Sequence, residues 1–484
     1  MSKGAGLIVA LGLLISVPGV SEDIYFQGNN HIELSKDSER DRDIIEEWFD
    51  LDFYGGPFQI GLQWSAFPKP DPSVSDPELT GFEKLTHRYA ELEWGNQSLR
   101  VGTFTQLFGR GLALRSYENR DLRLDSNLDG VLYSWAPGDW SLTALRGLLD
   151  TGPMEHFGRR HSGSISGLNL ERRIGTLTLG SSTVNHDTPG TASHLGLQTF
   201  RGGWANSMLQ LDYEGGFRFG DDVEGKGHIL EGSLLLGPFS VFGGYKYYEN
   251  FAATNQAPVQ IHDQRATLLN RHPHQLNMDD EKGYLLDLSA NTPLGSFLIS
   301  HALSESLDGE PSETDYAESY LEWDQYFSGD FLLSAHAILD YQEQKFGSPL
   351  STLVDENYLT LAGDVRLGLK SFEFMLEWEH QHKDSGFVGE FDDDLFVLEV
   401  MSPIGWSVSF IAEYLNWTDE QQILQGEEEI RESWTGVQIA GLIGEQHEIR
   451  FFAGGRRAGY ICIGGVCRYE PAFDGVELTL LTRF

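Results

Sequence analysis

This sequence is short of three things. Cysteine occurs only twice in 484 residues, at Cys462 and Cys467, so no framework of disulfides holds the chain together. Outside the N-terminus there is no apolar run of the roughly 18 residues that a membrane-crossing helix needs. Basic residues are scarce, with 34 Lys and Arg against 73 Asp and Glu and a formal net charge of −39. That balance excludes an ordinary nucleic-acid binder, because phosphate contacts are made by Lys and Arg. The chain is long enough for several soluble domains, but no linker or composition break separates any.

What the chain does have is glycine (55 residues), aromatics (12%) and alternation. In residues 206–219, Leu209, Leu211, Tyr213, Phe217 and Phe219 share one parity, while Asn206, Gln210, Asp212, Glu214 and Arg218 take the other, with Met208 as an intruder. In 371–380, Phe372, Phe374, Leu376 and Trp378 oppose Glu373, Glu377 and Glu379. In 357–369, Leu359, Leu361, Val365, Leu367 and Leu369 oppose Thr360, Asp364 and Arg366. A period of two with one apolar and one polar face is the signature of a half-buried strand.

Turn signals recur between these segments. Short ones fall at Gly55–Pro57, Gly95–Ser98, Pro137–Asp139, Arg173–Gly175, Gly202–Asn206, Leu236–Pro238, Thr292–Ser296, Phe327–Asp330, Gly368–Ser371, Ser402–Trp406 and Leu442–Gln446. Longer polar connections alternate with them, including Asp150–His161, Glu249–Lys282 and Thr418–Glu428, and the charged segment Ser35–Asp43 is expected to be a loop. Short turns on one side and long loops on the other are the pattern of outer-membrane barrels. A propeller would show a repeated blade motif, and none is present. A soluble sandwich of this many strands would need several domains with linkers. The expected fold is all-β: a single antiparallel transmembrane barrel of about 24 strands, within a range of 22 to 26. The residues after Glu22, shared among that many strands, give about 19 each, enough for a crossing of roughly 9–11 residues plus connections.

The two ends of the chain fit this picture. Residues 1–21 carry Lys3, an apolar stretch from Leu7 to Val17 and then Gly19 and Ser21, the layout of a secretory signal peptide. Cleavage is expected near Ser21, leaving residues 22–484 as the barrel. The last strand, Phe473–Phe484, alternates Val476, Leu478, Leu480 and Thr482 with Glu477, Thr479, Leu481 and Arg483, and stops on the aromatic Phe484. Such an ending is an assembly signal for the barrel-assembly machinery. An even number of strands places both termini on one side, so this strand is expected to pair with the first, near Ile24–Leu34. Cys462 and Cys467, close together in an exported protein, suggest a small disulfide loop contributing roughly 2 kcal/mol by chain entropy.

If the apolar parity meets lipid, the other lines the interior. The expected lumen-lining acids are Asp212, Glu214, Glu318, Glu322, Asp324, Asp340, Asp364, Glu373, Glu377 and Glu379, joined by Arg218, Arg366, Arg450 and Arg483. An acidic aqueous interior concentrates cations, although such charges also pair across strands and hold shape. Residues 107–130 stand apart. Arg110, Arg115, Arg120 and Arg123 lie there beside Glu118, Asp121, Asp125 and Asp129. The segment is expected either to fold inward, its arginines meeting wall carboxylates and constricting the pore, or to be an outward loop with solvated charge pairs.

The FGRGL, LR, LD and LDGV elements of this segment, together with residues 454–484, resemble a family of uncharacterised outer-membrane β-barrel proteins of Gram-negative bacteria. The likeness runs from about Ile24 to Phe484. It implies a secreted barrel with Arg110, Arg115, Cys462 and Cys467 at recurring positions, and it implies no activity.

Catalytic and metal signals are weak. There is no G-x-S-x-G element and no phosphate loop, so an enzyme is not expected, nor is a cofactor. His272 and His274 near Asp279 and Asp280 read as a solvated loop rather than a metal site. The runs Asp392–Asp394 and Glu427–Glu429 lack the spacing of a calcium loop and read as mutually repelling surface acids. The expected function is a porin-like passive channel in the bacterial outer membrane, with an acidic, cation-favouring lumen partly closed by inward loops. The alternative is a non-conducting scaffold, receptor or subunit of a secretion or surface-assembly complex. Expected partners are outer-membrane lipid, the barrel-assembly machinery, small solutes or cations and, on the alternative reading, another membrane or surface protein.

Overall fold

The computed structural model describes residues 24–38, 41–69, 82–120, 124–149, 163–187, 194–220, 224–251, 280–307, 314–327, 332–347, 353–369, 371–386, 388–418, 421, 431–463, 466–470 and 472–484. The chain forms one 24-stranded antiparallel sheet that closes on itself. Each strand pairs with the next, and the last, Phe473–Arg483, pairs with the first, Tyr25–Asp37, so that Ile32 lies opposite Leu480 and Asn29 opposite Arg483. Closure leaves no unpaired edge, the condition for placing β-structure in a bilayer.

The exterior is the apolar parity. Leu211, Tyr213, Phe217 and Phe219 are exposed, as are Leu376, Trp378, Phe396 and Leu398, while the alternate positions Glu214, Glu318, Asp340 and Glu379 are almost fully covered. A soluble protein does not present a continuous apolar band of this kind, whereas a barrel in lipid requires it. Trp94, Trp135 and Trp140 stand near the short turns on this outer surface, where interfacial tryptophans settle. No helix among the described residues is long and apolar enough to cross a membrane, and the crossing is made by strands of 8 to 17 residues.

The short turns fall where the sequence signals place them, apart from the one expected at Gly202–Asn206, and residues 328–330 of the one expected at Phe327–Asp330 lie outside the described residues. Three boundaries differ from expectation. The first strand runs on to Asp37 and the second begins at Arg42, so the charged segment Ser35–Asp43 is mostly strand, its alternation having been hidden by charges on both faces. The turn expected at Gly202–Asn206 sits one step later, because the strand continues to Ala205. Met208 therefore belongs to the turn before Leu209, and its break in parity disappears. The pairing of strands Arg42–Gly55 and Phe58–Lys69 carries a bulge near Ile45, and that of Phe58–Lys69 with Phe82–Trp94 carries one at Gln63. A bulge re-aims a side chain locally, and Gln63 is one that reaches into the interior, as described next.

Candidate functional site

Between strands Gln97–Phe104 and Leu128–Trp135, the described residues 105–120 and 124–127 turn into the barrel instead of extending from it. Two small hairpins fold the segment. Leu107–Phe108 pairs with Leu114–Arg115, and Glu118–Asn119 pairs with Leu124–Asp125. Their closure is helped by Ser116, whose N–H reaches the Gln106 carbonyl, and by Ser126, whose N–H reaches that of Tyr117.

The first hairpin depends on the FGRG sequence. Gly109 and Gly111 both hold positive φ, 58° and 92°, a region that costs a glycine nothing. At Gly109 a Cβ would also lie 2.5 Å from Glu214 Oε2. With that space free, the Arg110 N–H donates to Glu214 Oε2 at 2.6 Å, and the Arg110 guanidinium reaches Asp212 at 3.0 Å and Glu231 at 2.8 Å. These are charge-assisted contacts, stronger than neutral ones. Around them lies an apolar cluster. Phe108, Leu112, Ala113 and Leu114 of the segment pack with wall residues including Leu145, Ile165, Val184, Leu197, Ile229 and Tyr248.

The second hairpin grips the opposite arc. The Arg120 guanidinium donates to both oxygens of Asp50, at 2.8 and 3.0 Å, and its Nε meets Glu118 at 3.1 Å. Gln63 donates to Glu118 at 3.2 Å, and His87 lies 2.7 Å from Asp125 Oδ2. Burial pushes the Asp125 carboxyl up, but the hydrogen bond and charge of His87 outweigh it and hold the group below the usual carboxylate range. Arg115 lies over the Tyr117 ring at 5.0 Å. Arg123 and Asp121 lie outside the described residues.

The remaining expected lining acids all take the interior parity. Glu318 accepts from Gln342 at 3.3 Å, and the same amide donates to Asp340 at 2.6 Å. Asp364 receives Arg366 Nε at 3.0 Å. Asp324, His336, Asp364 and Glu377 fall on one rung across four adjacent strands. His336 lies between its rung neighbour Asp364, 3.0 Å from Nδ1, and Glu322 on the strand of Asp324, 3.5 Å from Nε2. Glu373 and Glu379 line the same strand as Glu377. Inward cations on strands 315–401 are sparse among the described residues: Arg366 and Lys383, with His336 besides.

The Asp392–Asp394 run corrects the expectation of mutually repelling surface acids. Strand alternation splits it. Asp393 points inward, fully buried, with Arg457 at 2.6 Å and Lys383 at 3.6 Å. Asp392 and Asp394 point outward, where they meet His382 at 2.7 Å and His380 at 3.0 Å. Val388, Phe391, Leu415, Trp417 and Trp434 form a second apolar cluster close by. His272, His274, Asp279 and Glu427–Glu429 lie outside the described residues, and Asp280 accepts the Asn250 N–H at 2.7 Å. The backbone sets Cys462 directly opposite Cys467 in the hairpin Gly459–Ile463 and Val466–Glu470.

Residues 16–198 and 239–484 match the model of a family of unknown function (DUF6029). The chain belongs to this family. No curated protein matches the chain in sequence. Among solved structures, it is similar to a chain of the E. coli P pilus tip assembly intermediate PapC-PapD-PapK-PapG, at 11% identity and a TM-score of 0.51, over 96% of this chain and 62% of that one. It is also similar to the P pilus usher (PapC) translocation pore, at 10% identity and a TM-score of 0.43, over 95% and 99%. A third match is the outer membrane protein OprD of Pseudomonas aeruginosa, at 11% identity and a TM-score of 0.40, over 75% and 96%. At such identities the likeness is one of fold, and the family adds no activity to it.

Proposed function

We propose that this protein is a porin-like passive channel of the bacterial outer membrane, exported by a signal peptide at residues 1–21, with a cation-favouring interior narrowed by residues 105–127. One observation carries this reading. The inward segment is pinned to carboxylates on both sides, Asp50 through Arg120 and Asp212 through Arg110, while the arc of strands 315–401 keeps its acids facing the interior with few cations beside them. The segment uses its own positive charge to neutralise the wall it touches. The negative field of the remaining wall attracts small cations and repels anions. Exterior lipid and, through Phe484, the barrel-assembly machinery complete the set of partners.

A non-conducting scaffold or receptor, working with another membrane or surface protein, is the competing reading. The apolar cluster around Phe108 and Leu114 favours it, because that packing fills interior space. Planar-bilayer recording of the purified barrel separates the two. The channel reading expects steady single-channel steps whose reversal potential in a salt gradient is cation-directed. A barrel that inserts yet stays silent, with or without residues 105–127, would establish the scaffold instead.

A further inference from the structure

The rung Asp324–His336–Asp364–Glu377 has more negative charge than its own cations neutralise, and it holds a histidine in a particular way. Register sets Asp324 directly opposite His336 and His336 directly opposite Asp364. Glu322, two residues before Asp324, shares its inward face. One ligand atom from each of Glu322, Asp324 and His336 lies within 4.8 Å of the other two. Two carboxylates at that separation repel each other, and among the described residues the imidazole of His336 lies beside both.

That imidazole is oriented from behind. Its Nδ1 lies 3.0 Å from Asp364 Oδ2, and the other oxygen of Asp364 receives Arg366 Nε at 3.0 Å. With Asp364 accepting the Nδ1 proton, Nε2 is left as a lone-pair donor facing Glu322, 3.5 Å away. A carboxylate behind a histidine that faces two further carboxylates is the arrangement by which proteins fix a metal-ligating imidazole. Small side-chain rotations bring these three atoms to the separations of ligands that share an ion at about 2.0–2.2 Å. All three residues are only partly covered, so water can complete the coordination.

We propose that Glu322, Asp324 and His336 bind one divalent transition-metal ion of the zinc class on the interior wall, with Asp364 as the residue that positions the histidine. One imidazole with two carboxylates suits zinc, cobalt or manganese better than calcium or magnesium, which prefer oxygen alone. Binding replaces a crowded pair of carboxylates by a neutralised centre. The site does not depend on conduction, so it stands or falls separately from the channel reading.

The test uses the full chain in detergent micelles, titrated with Co2+ and with Zn2+ at high ionic strength and in excess Mg2+, which suppress loose binding to the acidic surface. The expected result is one saturable Co2+ per barrel, with visible absorption bands that respond to the nitrogen ligand and vanish when Zn2+ displaces it. His336→Gln should abolish the bands. Asp364→Asn should weaken affinity by about 10-fold or more while keeping the bands. Heat-modifiable migration on gels checks that each variant is folded, and Glu305→Gln, on the outer face, serves as a control that keeps binding. Unsaturable binding, or saturable binding that a folded His336→Gln barrel retains, overturns the proposal and leaves His336 as a simple ion-pair partner of its neighbours.

Discussion

The N–H of Phe484 donates to the Gly28 carbonyl at 3.0 Å, and the N–H of Gly28 donates to the Phe484 carbonyl at 2.9 Å. The last residue of the chain is thus hydrogen-bonded into the first strand. The Phe484 ring lies against Phe49 and Phe26, at 5.8 and 6.4 Å between centroids. Gly28 makes room for it, since a Cβ there would lie 2.8 Å from the ring and 2.5 Å from the Asp50 carbonyl. Gly28→Val should therefore hinder closure of the seam, at a cost of roughly 1–3 kcal/mol for overpacking. Phe484→Ala should lower the yield of folded barrel while leaving the Gly28 backbone pairing available. The fraction of heat-modifiable protein in isolated outer membranes measures both, and wild-type yields from Gly28→Val would show that the seam has slack.

Arg110 and Arg120 fasten the inward segment at its two ends. Replacing both by alanine should loosen it and raise single-channel conductance, with more frequent flickering between levels. Each contact is a hydrogen bond between charged groups, of a kind worth about 1.5–3 kcal/mol when sheltered, and less for the partly exposed Arg110. Arg110→Ala alone should act more weakly, because the backbone bond from residue 110 to Glu214 survives the substitution.

Neutralising Glu373, Glu377 and Glu379 to glutamine should weaken cation preference without changing the barrel. Wall potentials are of the order of kT per group, so the permeability ratio of cation to anion should fall by about two- to threefold. Reversal potentials in a tenfold gradient, roughly, of potassium chloride read it directly. An unchanged ratio would assign these acids to holding the wall together.

Asp393 is buried between Arg457 and Lys383. Asp393→Ala removes the carboxylate shared by two buried cations, while Arg457 keeps its longer contact to Glu413 at 3.9 Å, and breaking such a buried pair costs about 3–5 kcal/mol. The midpoint of denaturant unfolding in micelles should drop accordingly. Asp392→Ala, one residue away on the outer face, should leave that midpoint nearly unchanged.

Cys462 and Cys467 face each other in register, a placement within reach of a disulfide across a hairpin. Protein purified from the outer membrane without reductant should take up no thiol label, and should take up two per chain after reduction. Labelling before reduction would mean that the pair stays as free thiols.

The barrel could be read from sequence because its rule is local. Each strand declares its lipid face by itself, as Phe372, Phe374, Leu376 and Trp378 do, and the turn residues mark where it ends. What could not be read depends on register between strands. His336 is an unremarked histidine until pairing sets Asp324 on one side of it and Asp364 on the other. The Asp392–Asp394 run looked like one acidic patch, although alternation alone would have parted Asp393 from its neighbours. A further signal lies in the sequence. Ile165, Val184, Leu197 and Ile229 are apolar residues on the parity that elsewhere is polar, which marks a stretch of wall covered from inside. Charge balance in residues 107–130 left their inward or outward course open, because ion pairs with water and ion pairs with a wall look alike in sequence.

A wide, thin hoop bends easily, and its cross-section flattens under small loads. Here the inward segment acts as a tie inside the hoop, fastened at Asp50 on one strand and at Asp212 and Glu231 on strands nine and ten places further round the 24-stranded sheet. The arc between those anchors is stiffened, while strands 281–401 have no comparable tie among the described residues. Breathing of the cross-section is therefore concentrated in the untied arc, the same arc that carries the rung of His336 and the acids around it. A change in the width of any passage through this barrel should start there.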